Sequence, residues 1–364
     1  MRATSVGLVE LQLTNFRVFE SRHVTPPADA VTVFLSPNGT GKTSILEAVF
    51  ALATGGSFRT TSASDLLRTG SDAAAVHGLA FQGTRRLDMK LQLKRGARNV
   101  TKRLTINEQR PQTYADIYDV FPVTIFTPEG VDMVRREPSG RRDFLTRLIV
   151  NLDPRTSDVV DRFERVLRQR NALLKSLSGE LPTAMQRDEL DIWTSEFVEV
   201  GEMLVAAREK VLTPLAELTA SYYEEIAGGS GDVGLAYERS WSGELAPSLE
   251  AVFRDDRYRG HTTLGPHRDD IRITLDQRDA RRQASQGEQR SVALSMLLAG
   301  DALVRRERDI SPLLMLDDVF SELDPVRCSR LLHLLPPGQT LVTTASPLPQ
   351  ELLPAVIIDL SKGE

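Results

Sequence analysis

The first third of the chain alternates between strand-like and helix-like patterns of hydrophobic residues. Residues 8–13 alternate apolar and polar side chains, as a half-buried strand does, and residues 31–35 form the β-branched run of a buried strand. A helix is predicted from Lys42 to about Ala53, where two glycines follow and end it. Three further alternating runs predict an antiparallel layer with one face in water, at 75–81, 87–93 and 100–106.

Long helical periods replace this pattern in the middle of the chain. Apolar residues recur every three, four or seven positions from Pro154 to about Lys175, and again from Trp193 to Tyr222. The break between the two runs contains Gly and Pro, so the helices are expected to fold back as an antiparallel pair. Residues 121–231 are therefore predicted to form a helical lobe inserted into the chain.

Strands and helices alternate again in the last third. Helices are predicted from Gly287 to about Arg306 and at 325–335, and strands are predicted at 312–316, 340–343 and 356–358. Apolar strands that alternate with helices are typical of a parallel sheet covered on both faces. We predict an α/β head, with a mixed sheet that includes the antiparallel layer, formed by residues 1–120 and 232–364.

Composition excludes several classes of protein. A chain of 364 residues with 41% hydrophobic residues can form two or three domains. Because no apolar run approaches the roughly 18 residues of a membrane span, an integral membrane protein is excluded, and the first residues lack a signal-peptide pattern, so a cytoplasmic protein is expected. The single cysteine, Cys328, allows no internal disulfide and is interpreted as structural. The net charge of −5 argues against a polycation that coats nucleic acid, so DNA binding would need a local patch or a change of state.

The most specific chemical signal stands between the strand at 31–35 and the helix after it. Backbone N–H groups of a P-loop surround phosphates, its Lys reaches the β- and γ-phosphates, and its hydroxyl holds Mg²⁺; Lys42 and Thr43 match these two roles. Ser36 replaces the first glycine of the consensus, at a cost of about 1–2 kcal/mol if that position needs a positive φ. The alternative is a turn that only caps a helix. The sequence predicts ATP and Mg²⁺ as ligands of Ser36, Pro37, Asn38, Gly39, Thr40, Gly41, Lys42 and Thr43.

Paired carboxylates follow the apolar strand near residue 315. This is the Walker B arrangement, in which one acid orients the Mg²⁺ shell and the next polarises the attacking water. We assign Asp317 to the metal, together with Thr43, and Asp318 to the water, so that Lys42, Asp317 and Asp318 are the expected catalytic residues. The alternative is a pair of acids that merely opens a loop.

A third motif begins the helix before the Walker B strand. ATP-binding-cassette proteins carry a signature there, and its hydroxyl and small residue contact the γ-phosphate bound by a partner protomer. Ser285, Gly287 and Gln289 are assigned to this signature, and Asp324 to the D-loop. Ser285 and Glu288 also satisfy a capping box, so helix capping is the alternative for this motif. Together the motifs predict a homodimer held by two ATP molecules.

With these motifs the sequence resembles the RecF family, bacterial recombination mediator ATPases related to the heads of SMC proteins. The resemblance covers nearly the whole chain, with departures at Ser36, Ser44, Thr146 and Glu288. It is carried by Leu13-Thr14-Asn15-Phe16-Arg17, the P-loop with Leu46-Glu47-Ala48, Ser57-Phe58-Arg59-Thr60, Arg141-Arg142-Asp143-Phe144-Leu145, Gln169 to Lys175, Gly265-Pro266-His267-Arg268-Asp269-Asp270 and Leu316 to Asp324.

The resemblance implies an ABC/SMC-type P-loop ATPase head and a cytoplasmic, ATP-dependent DNA-binding protein of recombinational repair. It further implies a weak ATPase that dimerises on ATP, recognises gapped DNA and, with RecO and RecR, helps to load RecA. Other interpretations stay open at this point. They are another SMC-like ATPase, for example of a defence or nuclease system, the nucleotide subunit of a transporter, and a scaffold that does not hydrolyse ATP.

Two basic clusters are candidates for contact with DNA phosphates, although each also fits an ordinary solvated face. One consists of Arg135, Arg136, Arg141 and Arg142, and the other of Lys94, Arg95, Arg98, Lys102 and Arg103. His267, Asp269 and Asp270 have metal-ligand chemistry, but they are expected to stabilise a loop or to communicate with the nucleotide site.

Overall fold

A computed structural model describes residues 3–97, 99–177, 183–229, 231–345 and 356–360. The strands are β1 (Thr4–Phe16), β2 (Phe19–Val24), β3 (Val31–Leu35), β4 (Ala73–Gln82), β5 (Arg85–Arg95), β6 (Val100–Ile106), β7 (Val123–Phe126), β8 (Val233–Glu238), β9 (Asp270–Leu275), β10 (Arg278–Asp279), β11 (Ile310–Ser311), β12 (Leu313–Asp317), β13 (Thr340–Thr344) and β14 (Val356–Asp359). The helices are α1 (Lys42–Thr54), α2 (Ala115–Val120), α3 (Pro128–Val131), α4 (Pro138–Leu152), α5 (Thr156–Ser176), α6 (Ala184–Ala227), α7 (Leu245–Ala251), α8 (Phe253–Arg259), α9 (Ala280–Gln283), α10 (Gln286–Arg308) and α11 (Pro325–His333). Two short 3-10 turns occupy Ala63–Leu66 and Val319–Glu322.

A parallel sheet forms the centre of the head, with the strand order β14-β3-β13-β12-β7. Every residue of β12 and β13 is buried, as an apolar strand with both faces covered should be. Strand β7 lies inside the segment 121–231 that the sequence predicts as a helical lobe. Its pairing with β12 corrects that prediction for Val123–Phe126, while the division into head and lobe otherwise stays a prediction.

The second sheet is the predicted antiparallel layer. Strands β1, β4, β5 and β6 pair in that order, β2 pairs with β1, and the short β11 adds a parallel pair at the start of β1. Along β5 the residues Leu87, Met89, Leu91 and Leu93 are buried, and the residues between them face outward. The layer therefore has one dry face and one wet face, which confirms the sequence pattern.

Helix α1 lies between the two sheets. Its residues Ile45 to Ala53 are all buried, because one hydrophobic core joins them to Phe34 and Leu341 of the parallel sheet and to Leu11 and Leu91 of the antiparallel layer. This double cover explains why the helix is apolar on nearly every side.

A buried amide ties the two sheets together at their edge. The side chain of Gln339 donates to the carbonyl oxygens of Leu8 and Pro27, each at 2.7 Å, and accepts from the amide of Leu8 at 2.7 Å. Leu8 borders the bulge of β1, where the pairing with β4 shifts its register. Gln339 thus satisfies backbone groups that the bulge would leave buried without partners.

The helical part is dominated by α6, which is 44 residues long and contains Pro214. Helix α5 packs against its first half as the predicted antiparallel partner, and α10 packs against α6 as well. Within the described part of the chain, none of the helices combines the length and the apolar composition that crossing a bilayer requires.

A buried ion pair connects α5 with α8. The guanidinium of Arg170 lies 2.9 Å from Asp256 and donates to Thr262 at 2.6 Å, and both charged side chains are fully buried. Because burial makes each charge depend on its partner, this pair constrains the helical part strongly.

We expect Arg170→Ala to lower the free energy of unfolding by about 3–5 kcal/mol, because it leaves the carboxylate of Asp256 buried without a counter-charge. Arg168→Ala, the same substitution two residues away in an exposed pair with Glu164, should cost less than about 1 kcal/mol. Urea unfolding measures both. Equal losses in the two variants would contradict a structural role for the buried pair.

Candidate functional site

The P-loop takes its shape from two glycines with positive φ. Gly39 has φ 85° and Gly41 has φ 100°, values that other residues adopt only with strain. At Gly41 space is also limiting, because a Cβ would lie 2.5 Å from the ring of Phe19 and 2.6 Å from Val18. The tip of the β1–β2 hairpin therefore packs directly on the loop.

Ser36 does not carry the strain that a positive φ would impose. It is absent from the non-glycine residues with positive φ in the described part of the chain, so the cost considered for this departure from the consensus does not apply. The residue is buried and its hydroxyl has no hydrogen-bond partner among the described residues. Its carbonyl oxygen accepts a hydrogen bond from Lys42 at 2.6 Å.

The ammonium of Lys42 is folded back over the loop. It donates to the carbonyl oxygens of Ser36 and Pro37 at 2.6 and 2.9 Å, and lies 3.4 Å from the side-chain oxygen of Asn38. Burial lowers the pKa of Lys42, and the charges of Asp318 and Asp317 act in the opposite direction. These contacts hold a cation where phosphate oxygens can replace the loop carbonyls as acceptors, so the loop fits a triphosphate.

The carboxylate of Asp317 joins three elements of the head. Its Oδ1 accepts from Thr43 at the start of α1 at 2.9 Å and from Thr343 on β13 at 2.7 Å. Burial raises the pKa of Asp317, and the hydrogen bonds from Thr343 and Thr43 lower it. A hydroxyl and a carboxylate oxygen at hydrogen-bond distance are suitable ligands for Mg²⁺, so the predicted pair Thr43 and Asp317 fits the ion.

Asp318 follows in a conformation that is unusual for a non-glycine residue. Its φ is 49°, and its amide donates to the side chain and the carbonyl of Thr343 at 3.0 and 3.1 Å. The Oδ1 atom of Asp318 is buried without a hydrogen-bond partner among the described residues. An unsatisfied carboxylate oxygen beside the Asp317 centre can accept a hydrogen bond from water, which suits the role predicted for this residue.

Thr343 is a residue of the candidate site that the sequence analysis does not identify. Its hydroxyl donates to Asp317 and accepts from the amide of Asp318, so it orients both acids of the Walker B pair. In the sequence it is simply the last residue of a predicted strand, and nothing local distinguishes it from its neighbours.

A charged cluster under the P-loop helix is the second feature without a sequence assignment. Glu47 is fully buried on α1 and accepts two hydrogen bonds from Arg17, at 2.6 and 2.5 Å, and one from Ser57 at 2.5 Å. Arg59 lies 3.9 Å from Glu47 and is close enough to Asp317 to lower the pKa of that carboxyl. The cluster brings together three separate segments of the family resemblance. An acid in an otherwise apolar helix is the sequence signal that could have revealed it.

The signature segment is well ordered by its own contacts. Ser285 is exposed and forms both bonds of the capping box, since its hydroxyl accepts from the amide of Glu288 at 3.3 Å and its own amide donates to the Glu288 carboxylate at 2.7 Å. Gln289 is buried, and its amide donates to the carbonyl oxygens of Ala280 and Arg281 at 2.9 and 3.0 Å. The structure therefore places Gln289 inside the protomer, where it holds α9, and not on the surface that a partner would contact.

Arg327 connects the signature helix with the D-loop. Its guanidinium pairs with Asp324 and donates to Ser291 at 2.9 Å. It also lies against Gly287, where a Cβ would come within 3.1 Å of it. Asp324 caps α11 by accepting from the amides of Val326 and Arg327, so its carboxylate is committed to the start of that helix.

The first basic cluster is not a patch of four arginines. Arg141 is buried, forms a bidentate ion pair with Asp270 at 2.7 and 2.9 Å, and donates to the carbonyl of Met133. Its prediction as a DNA contact is wrong, because its guanidinium is enclosed and fully paired. Arg142 donates to the carbonyl of Asp269 at 2.7 Å. The exposed pair, Arg135 and Arg136, shares the carboxylate of Asp132 at 3.1 and 3.7 Å.

The second basic cluster is divided between the two faces of the antiparallel layer. Lys102 donates to the carbonyl of Gly55 at 2.9 Å, and burial lowers its pKa. Arg95 pairs loosely with Asp72 at 3.6 Å. Lys94 and Arg103 are exposed, and Arg98 lies outside the described residues.

The side chains of His267 and Asp269 make contacts inside the protein that stabilise the surrounding structure. His267 is enclosed by the rings of Phe163 and Phe197, and burial lowers its pKa to about 4. Asp269 accepts from the hydroxyl of Tyr237 at 2.7 Å and from the amide of Ser240 at 2.8 Å. In the described ranges no three His, Cys, Asp or Glu side chains converge as a metal site. Cys328 is buried on α11.

We compared the sequence and the structure of the chain with those of known proteins. The model of the RecF/RecN/SMC N-terminal domain matches residues 7–347. The DNA replication and repair protein RecF of Acidothermus cellulolyticus is 35% identical over 353 residues, which cover 93% of each chain. RecF of Cutibacterium acnes is 35% identical over 387 residues, covering 97% of this chain and 96% of that protein.

Solved structures agree with this result. The recombination mediator protein RecF-ATPrS of the RecFOR pathway superimposes with a TM-score of 0.84 and 26% identity over 95% of each chain. The RecF-ATP structure gives a TM-score of 0.81 at 26% identity, over 95% of this chain and 93% of the other. An Smc head bound to a ScpA domain, at 14% identity and a TM-score of 0.55, shares the fold alone.

Without the hydroxyl of Thr343, the affinity for Mg·ATP should begin to fall at a higher pH when the solution is acidified. Burial already raises the pKa of Asp317, and Thr343→Val deletes a hydrogen bond that lowers this pKa. On acidification, the Asp317 carboxylate of the variant should therefore become protonated at a higher pH than that of the wild type. At neutral pH we expect roughly tenfold weaker binding, the equivalent of one hydrogen bond to a charged group. Calorimetry of Mg·ATP binding between about pH 7.5 and 5 measures both effects.

Thr340→Val is the matched control for this experiment. Thr340 is buried on the same strand, but it pairs with Leu314 and not with Asp317. Superimposable pH profiles for Thr343→Val and the wild type would show that Thr343 does not act on Asp317.

Proposed function

The chain belongs to the RecF family within the RecF/RecN/SMC group, and we propose that it is an ATP-switched DNA-binding protein of recombinational repair. Its head has the ABC/SMC-type ATPase fold of that group. The proposal extends to a weak ATPase that dimerises on ATP, binds gapped DNA at junctions of single and double strands, and acts with RecO and RecR to load RecA.

One observation carries the proposal, namely the contact between Thr43 and Asp317. It joins the P-loop to the Walker B strand across 274 residues of sequence and brings together, on one protomer, the hydroxyl and the carboxylate that would hold the Mg²⁺ of Mg·ATP. Ser285 stands exposed at the start of the 23-residue helix α10, where the unpaired N–H groups favour an anion. A second protomer that supplied its Ser285 to the first protomer's nucleotide would make ATP the ligand that holds a dimer together.

The roles of the residues follow from their positions. Bound Mg·ATP supplies the phosphoanhydride and a divalent charge. Lys42 would exchange the carbonyl oxygens of the loop for phosphate oxygens, and Thr43 and Asp317 would hold the ion. Asp318, whose Oδ1 has no hydrogen-bond partner among the described residues, would orient a water molecule, and Arg59 would add a positive charge near Asp317. Hydrolysis would then remove the contact that holds the partner's Ser285, and the dimer would open.

The relatives support the DNA-directed part of the proposal. The proteins that match over nearly the whole chain are named DNA replication and repair protein RecF, and the solved RecF structures are described within the RecFOR pathway. The SMC heads share only the fold, so the RecF-type function is favoured over that of another SMC-like ATPase.

Loss of the P-loop lysine should abolish the effect of ATP on DNA binding. We expect the wild type to bind gapped DNA roughly tenfold more tightly with ATP than without it, a typical size for coupling between two sites. Lys42→Met should bind weakly under both conditions, because it removes the cation that reaches the phosphates. Fluorescence anisotropy of labelled gapped DNA measures this, and equal binding in all four cases would rule out gating by ATP.

A large side chain at Ser285 should prevent dimerisation without preventing nucleotide binding. Ser285→Arg should bind ATP with wild-type affinity but remain a monomer in sizing experiments, because its side chain fills the space that the partner's phosphate needs. Ser176→Arg, an equally exposed site at the end of α5, is the matched control. A Ser285→Arg variant that dimerises with ATP as the wild type does would exclude the composite site.

A further inference from the structure

The wet face of the antiparallel layer carries a continuous set of polar side chains in three neighbouring rows. On β5 and β6, Lys90 is paired with Thr105, Gln92 with Arg103, and Lys94 with Thr101. Paired residues of an antiparallel sheet point to the same face, so these six side chains share the outer surface. We call this surface the sheet platform. It consists of Lys90, Gln92, Lys94, Thr101, Arg103 and Thr105.

The rows continue across the sheet in small or polar residues. The row of Gln92 runs through Ala75 and Thr14 to Ser21, and the row of Lys90 runs through His77 and Gln12 to His23. Lys94 is followed by Ala73. Five strands spaced about 4.8 Å apart make a surface about 19 Å wide. The small neighbours Ala73 and Ala75 leave Lys94 and Arg103 exposed on this surface.

The charge of the platform has one sign. Lys90, Lys94 and Arg103 are its charged members, and these three rows contain no Asp or Glu. The nearest acids in the strands, Asp88 and Glu10, both belong to the row of Leu79 at one border. In the described part of the chain Lys94 and Arg103 form no ion pair within 4.0 Å, whereas Lys90 lies 3.3 Å from Asp88.

We propose that the sheet platform is the surface that contacts the phosphate backbone of the duplex part of DNA. The inference rests on the proposed function, because an ATP-held dimer would present two platforms to one DNA molecule. A protein with a net charge of −5 needs such a local concentration of positive charge to bind a polyanion.

The composition of the platform favours the duplex over single strands. Sequence-independent binding of single strands uses aromatic side chains on which bases stack, and the six platform residues include none. Lys, Arg, Thr and Gln donate hydrogen bonds to phosphate oxygens and position a protein on a duplex without reading its sequence. The platform should therefore bind the double-stranded flank of a gap.

The structure also changes which residues of the second basic cluster take part. Lys102 is turned inward to Gly55, and Arg95 at the strand end is paired with Asp72. Lys90, which no sequence pattern singles out, joins Lys94 and Arg103 because it stands on the same face of β5.

The test is the double variant Lys94→Gln and Arg103→Gln, which removes two charges and keeps a polar side chain at both positions. In the presence of ATP we expect at least a tenfold loss of affinity for a gapped duplex at low salt. The slope of log affinity against log salt should fall by about 3 to 4, because four phosphate contacts disappear from a dimer at roughly 0.9 each. ATP-dependent dimerisation and the urea midpoint should be unchanged.

Arg135→Gln with Arg136→Gln is the matched control, since it removes the same charge from the other exposed basic pair. Its affinity and salt slope should stay at the wild-type values. The inference is overturned if the platform variant binds DNA as the wild type does, or if the control variant loses affinity for DNA instead. It is also overturned if, in a parallel measurement with vesicles of anionic lipid, the platform variant loses binding to the vesicles but not to DNA.

Binding without nucleotide separates this inference from the proposed function. If ATP changes nothing but the platform variant still loses affinity for the duplex at low salt, gating by ATP fails and the platform stands. If ATP strengthens wild-type binding and the platform variant binds the duplex as tightly as the wild type both with and without ATP, the platform fails and the proposed function stands. A wild-type chain that binds no DNA under any of these conditions would overturn both.

Discussion

The burial of helix α1 between two sheets is the constraint on which the rest of the head depends. A helix covered on both sides can carry polar groups only where they find partners, and α1 carries Glu47 in its middle and Thr43 at its start. Arg17 and Ser57 satisfy the first, and Asp317 accepts from the second. The pairing of these two polar groups therefore brings the β1–β2 hairpin, the segment after α1 and the Walker B strand to the P-loop.

The signature side of the molecule is organised by α11. At one end Asp324 caps this helix and Arg327 reaches the signature helix, and one turn further Arg330 donates to the carbonyl of Ile226 at 3.1 Å, in the last turn of α6. Gly228, the residue that ends α6, has no Cβ and leaves the space that the guanidinium of Arg330 occupies. The D-loop, the signature helix and the long helix thus meet on one short element.

Local sequence was sufficient to predict the P-loop, the Walker B pair and the antiparallel layer, because each depends on neighbouring residues or on a period of two. Other features depend on contacts between distant segments. The burial of Arg141 requires Asp270, which is 129 residues away, and the inward orientation of Gln289 requires the carbonyl oxygens of α9. Strand β7 has four residues, too few for a period to be recognised against the helices around it. The importance of Thr343 follows only from its position opposite Asp317.

Because α6 is long, a small change in its direction at one end displaces its other end by several ångströms. At about 1.5 Å per residue its 44 residues extend roughly 66 Å, and Ile226 in its last turn contacts Arg330 of α11. A tilt of about 5° at that end would displace the other end by about 6 Å. A small rotation of the last turn of α6 about its contact with Arg330 would therefore move the far end of the helix by about one helical turn.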